Sequence, residues 1–223
     1  MKKLTRRRLL SSSVAAAATV TIVPSYCLGK SNTRLAPSDT LYFAKVGCGG
    51  MGGGDFRSVV SAGALPAALC DVDSKRAAGT VNHETASNLK LYSDFRKMFD
   101  EQAKNFDAVV VSTPDHMHAP VSLAAMQLGK HVYCQKPLTH SIWEARQMAL
   151  GAKQFNVATQ MGNQGHASES VRLGVEWIRG GIVGKVQEVH TWTNRPIWPQ
   201  GLTTRPKVQP TPSMLNWDAW LGP

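Results

Sequence analysis

Leu41-Tyr-Phe-Ala-Lys-Val-Gly-Cys-Gly-Gly-Met-Gly52 joins an apolar, strand-like run to a glycine-rich turn. The spacing Gly47, Gly49, Gly52 assigns each glycine a physical task. Gly47 permits the tight turn off the strand, Gly49 lets the backbone approach a pyrophosphate, and Gly52 lets the next helix pack on the sheet with its N-terminus toward the negative charge. About twenty residues on, a second apolar run, Ala67-Ala-Leu-Cys-Asp71, ends in an acid. That is where a ribose hydroxyl of a dinucleotide needs an acceptor, and such an acid repels a 2′-phosphate. The pair of signals predicts a dinucleotide site and favours NAD over NADP, although Lys75 and Arg76 follow closely.

Outward from this motif, β-rich runs alternate with amphipathic ones, which predicts an α/β fold built on a doubly wound parallel (Rossmann) sheet. Strands are expected at 41–47, 67–71, 89–92, 107–112, 131–134 and 157–161, and helices near 51–63, 74–86, 94–103, 117–129, 141–154 and 168–180. Ser141 with Glu144 three residues later forms a capping-box pattern, and Gly129 and Gly180-Gly181 are stop signals. After Gly184 the texture changes. Residues 185–193 alternate as a half-solvated strand does, and a proline- and tryptophan-rich stretch follows. A lone strand cannot bury its face. The expected organisation is therefore an export signal and linker at 1–37, a NAD-binding Rossmann domain at 38–162, and at 163–223 the truncated start of a second, α+β substrate domain.

The net charge of +10 suggests nucleic acid until it is located. Residues 1–38 hold seven bases and no acid, leaving 18 bases against 15 acids in the body. No basic stripe with interleaved aromatics remains, so nucleic acid is excluded as a partner. The basic start, with Arg6, Arg7 and Arg8 ahead of a short, weakly apolar run ending at Pro24, reads as an export leader too short to span a bilayer. Thr5-Arg6-Arg7 resembles a twin-arginine signal, which sends folded proteins through the twin-arginine machinery to the periplasm. Cys27, Cys48, Cys70 and Cys134 show no metal spacing and read as free thiols, the last three buried at strand ends.

Two further strand ends carry chemistry. Ser112-Thr-Pro-Asp-His-Met-His118 leaves the fourth strand, with Pro114 ending it and Asp115 expected to cap the next helix. The pair His116 and His118 is not expected to bind metal. The fifth strand ends in Cys134-Gln-Lys-Pro137, and Lys136 there can hydrogen-bond a substrate hydroxyl or help polarise a carbonyl.

These four motifs, in this order, resemble those of the Gfo/Idh/MocA oxidoreductases. The resemblance implies that Lys136 is catalytic, as the lysine of a Glu-Lys-Pro motif whose glutamate is here Gln135. It implies cofactor contacts at Gly47, Gly49, Gly50, Met51, Gly52, Asp71, Ser112, Thr113, Pro114, His118, Gln135 and Lys136, and no metal. The family's usual catalytic histidine falls in a second domain past residue 223, whose sheet would also be the surface for a homo-oligomer. Gly162-Asn-Gln-Gly-His166 and Trp192-Thr-Asn-Arg-Pro-Ile-Trp-Pro-Gln-Gly201 resemble an exported branch. The expected function is hydride transfer between NAD and a sugar or polyol. The alternatives are an NAD-dependent glycosidase that oxidises and re-reduces its sugar, and a non-catalytic dinucleotide-binding protein.

Overall fold

The computed structural model describes residues 39–194 and 201–223. The chain divides into two compact units, Met1–Thr40 and Leu41–Pro223. Only Asp39 and Thr40 of the first are described, so the segment 1–37 expected to be an export signal lies outside the described residues, as does 195–200 of the tryptophan-rich stretch.

Six parallel strands form one sheet: β1 Tyr42–Val46, β2 Leu65–Cys70, β3 Leu91–Tyr92, β4 Ala108–Val111, β5 His131–Gln135 and β6 Thr159–Gly162. Their order is β3-β2-β1-β4-β5-β6, so the chain starts in the middle and winds outward twice. That reversal between β1 and β4 opens a crevice at the strand carboxyl ends, where ligands of such sheets bind. The crossovers are α1 Met51–Ser61, α2 Ser74–Val81, α3 Phe95–Gln102, α4 His118–Gln127 and α5 Ile142–Gln154; α6 Glu169–Arg179 and α7 Trp217–Leu221 follow the sheet.

Alternation along the central strands feeds two cores. Ala44 and Val46 of β1 join Val109, Val111, Met98, Phe99 and Met126 on one face. Phe43 joins Phe56, Leu69, Ala77 and Val110 on the other, with the Phe43 and Phe56 rings 5.7 Å apart. Both faces of β4 are buried, which is why its sequence is a continuous valine run rather than an alternating one. Lys45 shares the Phe43 face and is 0 % exposed.

The capping box at Ser141 and Glu144 forms on α5, and Gly129 and Gly181 take positive φ just past their helices. Three local expectations fail. The helix expected over 74–86 ends at Val81, because tight turns from Thr80 to His83 and His83 to Ala86 and the Thr85 N–H donating to His83 Nδ1 satisfy the backbone instead. Asp115 does not cap α4. A short 3₁₀ turn over Asp115–Met117 intervenes, and the cap position falls on Met117. Residues 185–194 are exposed and form no strand, since no strand among the described residues pairs with them.

Candidate functional site

The crevice is a cleft of about 560 Å³ over the carboxyl ends of β1, β2 and β4. Its floor is the glycine turn. Gly47 has φ +82°, and a Cβ there would overlap the Ser112 carbonyl; a Cβ at Gly52 would overlap the carbonyl oxygen of Gly47. The turn thus closes against the β4 loop and against itself at a distance only glycine allows. Gly50, exposed with φ 53°, starts α1 with no side-chain cap and no acid in the first turn. The Gly52 and Gly53 N–H groups donate back to the Gly49 and Gly50 carbonyls, and the positive end of the helix dipole is left for an anion.

Asp71 is set against this turn. Its Oδ2 accepts from the N–H of Cys48 at 2.7 Å and of Gly49 at 3.2 Å, and its Oδ1 accepts from the Asp73 N–H at 2.9 Å. A carboxylate has about four acceptor sites, so Asp71 is held rigid and keeps capacity toward the cleft that it lines. Thr113 and Pro114 line the opposite wall. Thr113 Oγ1 is buried without a hydrogen-bond partner, and a buried hydroxyl in that state calls for a ligand or water. The uncapped helix start, the fixed acid and the orphaned hydroxyl together fit a dinucleotide.

Other expected contacts are placed differently. His118 is 1 % exposed, with Nδ1 2.6 Å from the Pro137 carbonyl and Nε2 2.9 Å from the Thr113 carbonyl. It ties the loops after β4 and β5 together and has no nitrogen left for a cofactor. The Ser112 backbone lines the cleft, but its hydroxyl accepts from Lys45 Nζ and donates to Asp55 Oδ2, both at 2.6 Å. Gln135 is 4 % exposed and donates to both oxygens of Asp55. The Gln135 and Ser112 side chains, expected at the cofactor, are both hydrogen-bonded inside the protein. Lys136 emerges exposed at the end of β5. Met51 is exposed at the start of α1, and Gly52 is buried beneath it. Among the described residues no three His, Cys, Asp or Glu side chains group to hold a metal.

Two features were missed. The Lys45–Asp55 pair, bridged by Ser112, is one; burial lowers the Lys45 pKa to about 8, against opposing charges that include Asp55 and Asp71. A lysine inside an otherwise apolar strand motif is the signal that could have revealed it. The second is the segment 213–223, which crosses the cleft. Its Asn216 N–H donates to the Val72 carbonyl at 2.8 Å, the Trp220 carbonyl meets His116 Nε2 at 2.7 Å, and the Trp217 and Trp220 rings stack 5.0 Å apart. The signal was Asn216, whose side chain caps α7 at the Ala219 N–H. Cys48, Cys70 and Cys134 are free and buried. Burial pushes the Cys48 thiol up to about 12, Cys134 up to about 11 and Cys70 further still, so none is a thiolate nucleophile near neutral pH.

Comparisons with known proteins agree with this geometry. Residues 41–163 match the Gfo/Idh/MocA family, described as an oxidoreductase family with an NAD-binding Rossmann fold. Inositol 2-dehydrogenase 2 of Saccharopolyspora erythraea is 38% identical over 101 residues, 44% of this chain and 29% of that protein. Levoglucosan dehydrogenase of Pseudarthrobacter phenanthrenivorans is 30% identical over 94 residues, 42% of this chain and 24% of that protein. The crystal structure of myo-inositol 2-dehydrogenase from Lactobacillus plantarum superposes with a TM-score of 0.58 at 28% identity, covering 66% of this chain and 43% of that one. The chain thus spans a quarter to under half the length of these relatives. With its winding order, its glycine turn and a match over more than half its residues, the chain belongs to the Gfo/Idh/MocA oxidoreductase family.

Proposed function

We propose that this chain carries the cofactor half of an NAD-dependent oxidoreductase that moves hydride between the dinucleotide and a hydroxyl-bearing carbon of a sugar or polyol. The observation that carries the proposal is the uncapped start of α1 at Gly50, next in the chain to Gly49, which lines the cleft with the fixed carboxylate of Asp71. When bound, NAD supplies the hydride acceptor or donor. The α1 N-terminus and the glycine turn hold its diphosphate, Asp71 accepts from a ribose hydroxyl, and Thr113 Oγ1 gains the partner it lacks. Lys136 donates to the reacting oxygen and withdraws charge from it as hydride moves. The test is to give the full-length protein NAD with a panel of inositols and aldoses, and separately with aryl glycosides. NADH formation supports the dehydrogenase. Glycoside cleavage without net NADH indicates the glycosidase reading, and inactivity on every substrate with intact NAD binding indicates a binding protein.

NAD is preferred over NADP in this reading, because Asp71 faces the position a 2′-phosphate would take. Arg76 lines the same cleft and limits the preference. Asp71→Ser is expected to narrow the NAD/NADP affinity ratio by about tenfold, the equivalent of about 1.4 kcal/mol. Titration of both dinucleotides checks it, and an unchanged ratio would contradict it.

The leader read at residues 1–37 supports export to the periplasm through the twin-arginine machinery, with NAD loaded before transit. Replacing Arg6 and Arg7 with lysine is expected to leave uncleaved protein in the cytoplasm, as fractionation would show. Normal export of that variant would overturn the twin-arginine reading.

A further inference from the structure

Asp55 is a charged side chain, 5 % exposed, on the second turn of the helix that faces the diphosphate site. Its two oxygens accept four hydrogen bonds from three groups. Oδ2 accepts from the Ser112 hydroxyl at 2.6 Å, and that hydroxyl in turn accepts from buried Lys45. Gln135 Nε2 donates to Oδ1 at 2.9 Å and Oδ2 at 3.0 Å. Gln164 Nε2, from the turn after β6, donates to Oδ1 at 3.0 Å. The other end of the Gln135 amide is also committed, because its Oε1 accepts from the Lys136 backbone N–H at 3.1 Å. The carboxylate therefore fixes which way the Gln135 amide points, and the amide holds the backbone from which Lys136 emerges.

We propose that Asp55 is a positioning residue for Lys136, acting through Gln135 and locking the ends of β4 and β5 and the turn after β6 to the cofactor helix. The same geometry explains why residue 135 is an amide. It must donate to Asp55 and accept from Lys136, which an ionised glutamate cannot do. A glutamate there would also set a second carboxylate against the first in a buried site. The space is closely built: Gly162 pairs with Gln135 across the β5–β6 ladder, and a Cβ at Gly162 would lie 2.9 Å from the Gln135 amide carbon. Lys45 supplies the compensating cation, with Cys48, Asp71 and Cys134 as its other titratable neighbours.

This inference rests on the role proposed for Lys136, so its test separates the two. Asp55→Asn, Gln135→Glu and the exchange variant Asp55→Asn/Gln135→Glu are compared with Lys136→Ala in the full-length protein. Each single variant is expected to lower kcat at least about tenfold, with KM for NAD within about threefold. Each is also expected to lower the melting temperature of the NAD-free protein by several degrees. The exchange variant returns the carboxylate–amide pair in reversed order and is expected to recover most of both losses. Gln135→Glu is further expected to make kcat fall with rising pH as its second carboxyl ionises. Singles with kcat within twofold of the parent, or an exchange variant no better than the worse single, would overturn the proposal. If Asp55→Asn does not fold, the exchange variant decides: folded and active supports the pairing, unfolded overturns it. Normal turnover in Lys136→Ala would instead remove the reading of Lys136 itself, leaving the melting cycle to report on the Asp55–Gln135 pair.

Discussion

Lys136→Ala is expected to slow turnover of the full-length protein by about 10²-fold or more, while NAD affinity stays within a few-fold. The lysine stands exposed at the carboxyl end of β5, its backbone N–H held by Gln135 Oε1. Its side chain supports no core packing, so stability should hardly change. Diphosphate and ribose contacts come from the glycine turn and Asp71, which explains why binding should survive. Steady-state kinetics, a dinucleotide titration and a thermal melt together check this. Near-normal turnover, or a loss of folding equal to the loss of activity, would return Lys136 to the status of a surface cation.

Gly52→Ala is expected to have the largest effect on binding, with NAD affinity falling by about 10²-fold or more, about 2.7 kcal/mol. The added Cβ would overlap the Gly47 carbonyl oxygen and lie 3.4 Å from the Ser112 Cβ. The first obstacle is backbone, so the turn itself must open, and with it the wall formed by the β4 loop. Overpacking of this kind costs about 1–3 kcal/mol of stability. Gly54→Ala on the same helix is the control. Its Cβ would meet only Met51 Sδ at 4.0 Å, and replacing a helical glycine gains about 0.5–1 kcal/mol. Affinity measured for both variants by calorimetry should therefore diverge although the chemical change is the same.

The fold was legible because its signals are local. A continuous valine run marks a strand buried on both faces, glycine spacing marks the turn, and Ser141 with Glu144 marks a helix start. Asp71 could be placed because a fixed separation from the glycine turn carries it to the next strand end. The hydrogen-bond geometry of the site was not legible in the same way. Asp55 meets Gln135 and Gln164 across 80 and 109 residues, and no local pattern reports such a meeting. His118 stands beside the cleft in the sequence, yet its ring turns inward to two carbonyls, and α4 begins two residues later than Asp115 suggested. The segment 213–223 lacked a strong period, and its placement over the cleft depends on contacts with Val72, Ser74 and His116. Residues 185–193 show the converse failure, in which a sound alternation yields no strand without a neighbour to pair with.

Titration of NAD into the full-length protein by calorimetry tests most directly whether the cleft above β1, β2 and β4 is a dinucleotide site. The expected result is saturable binding of one NAD per chain, weaker binding of NADP, and loss of the signal in Gly52→Ala but not in Gly54→Ala. The absence of saturable binding, or equal binding by Gly52→Ala and the parent protein, would contradict it.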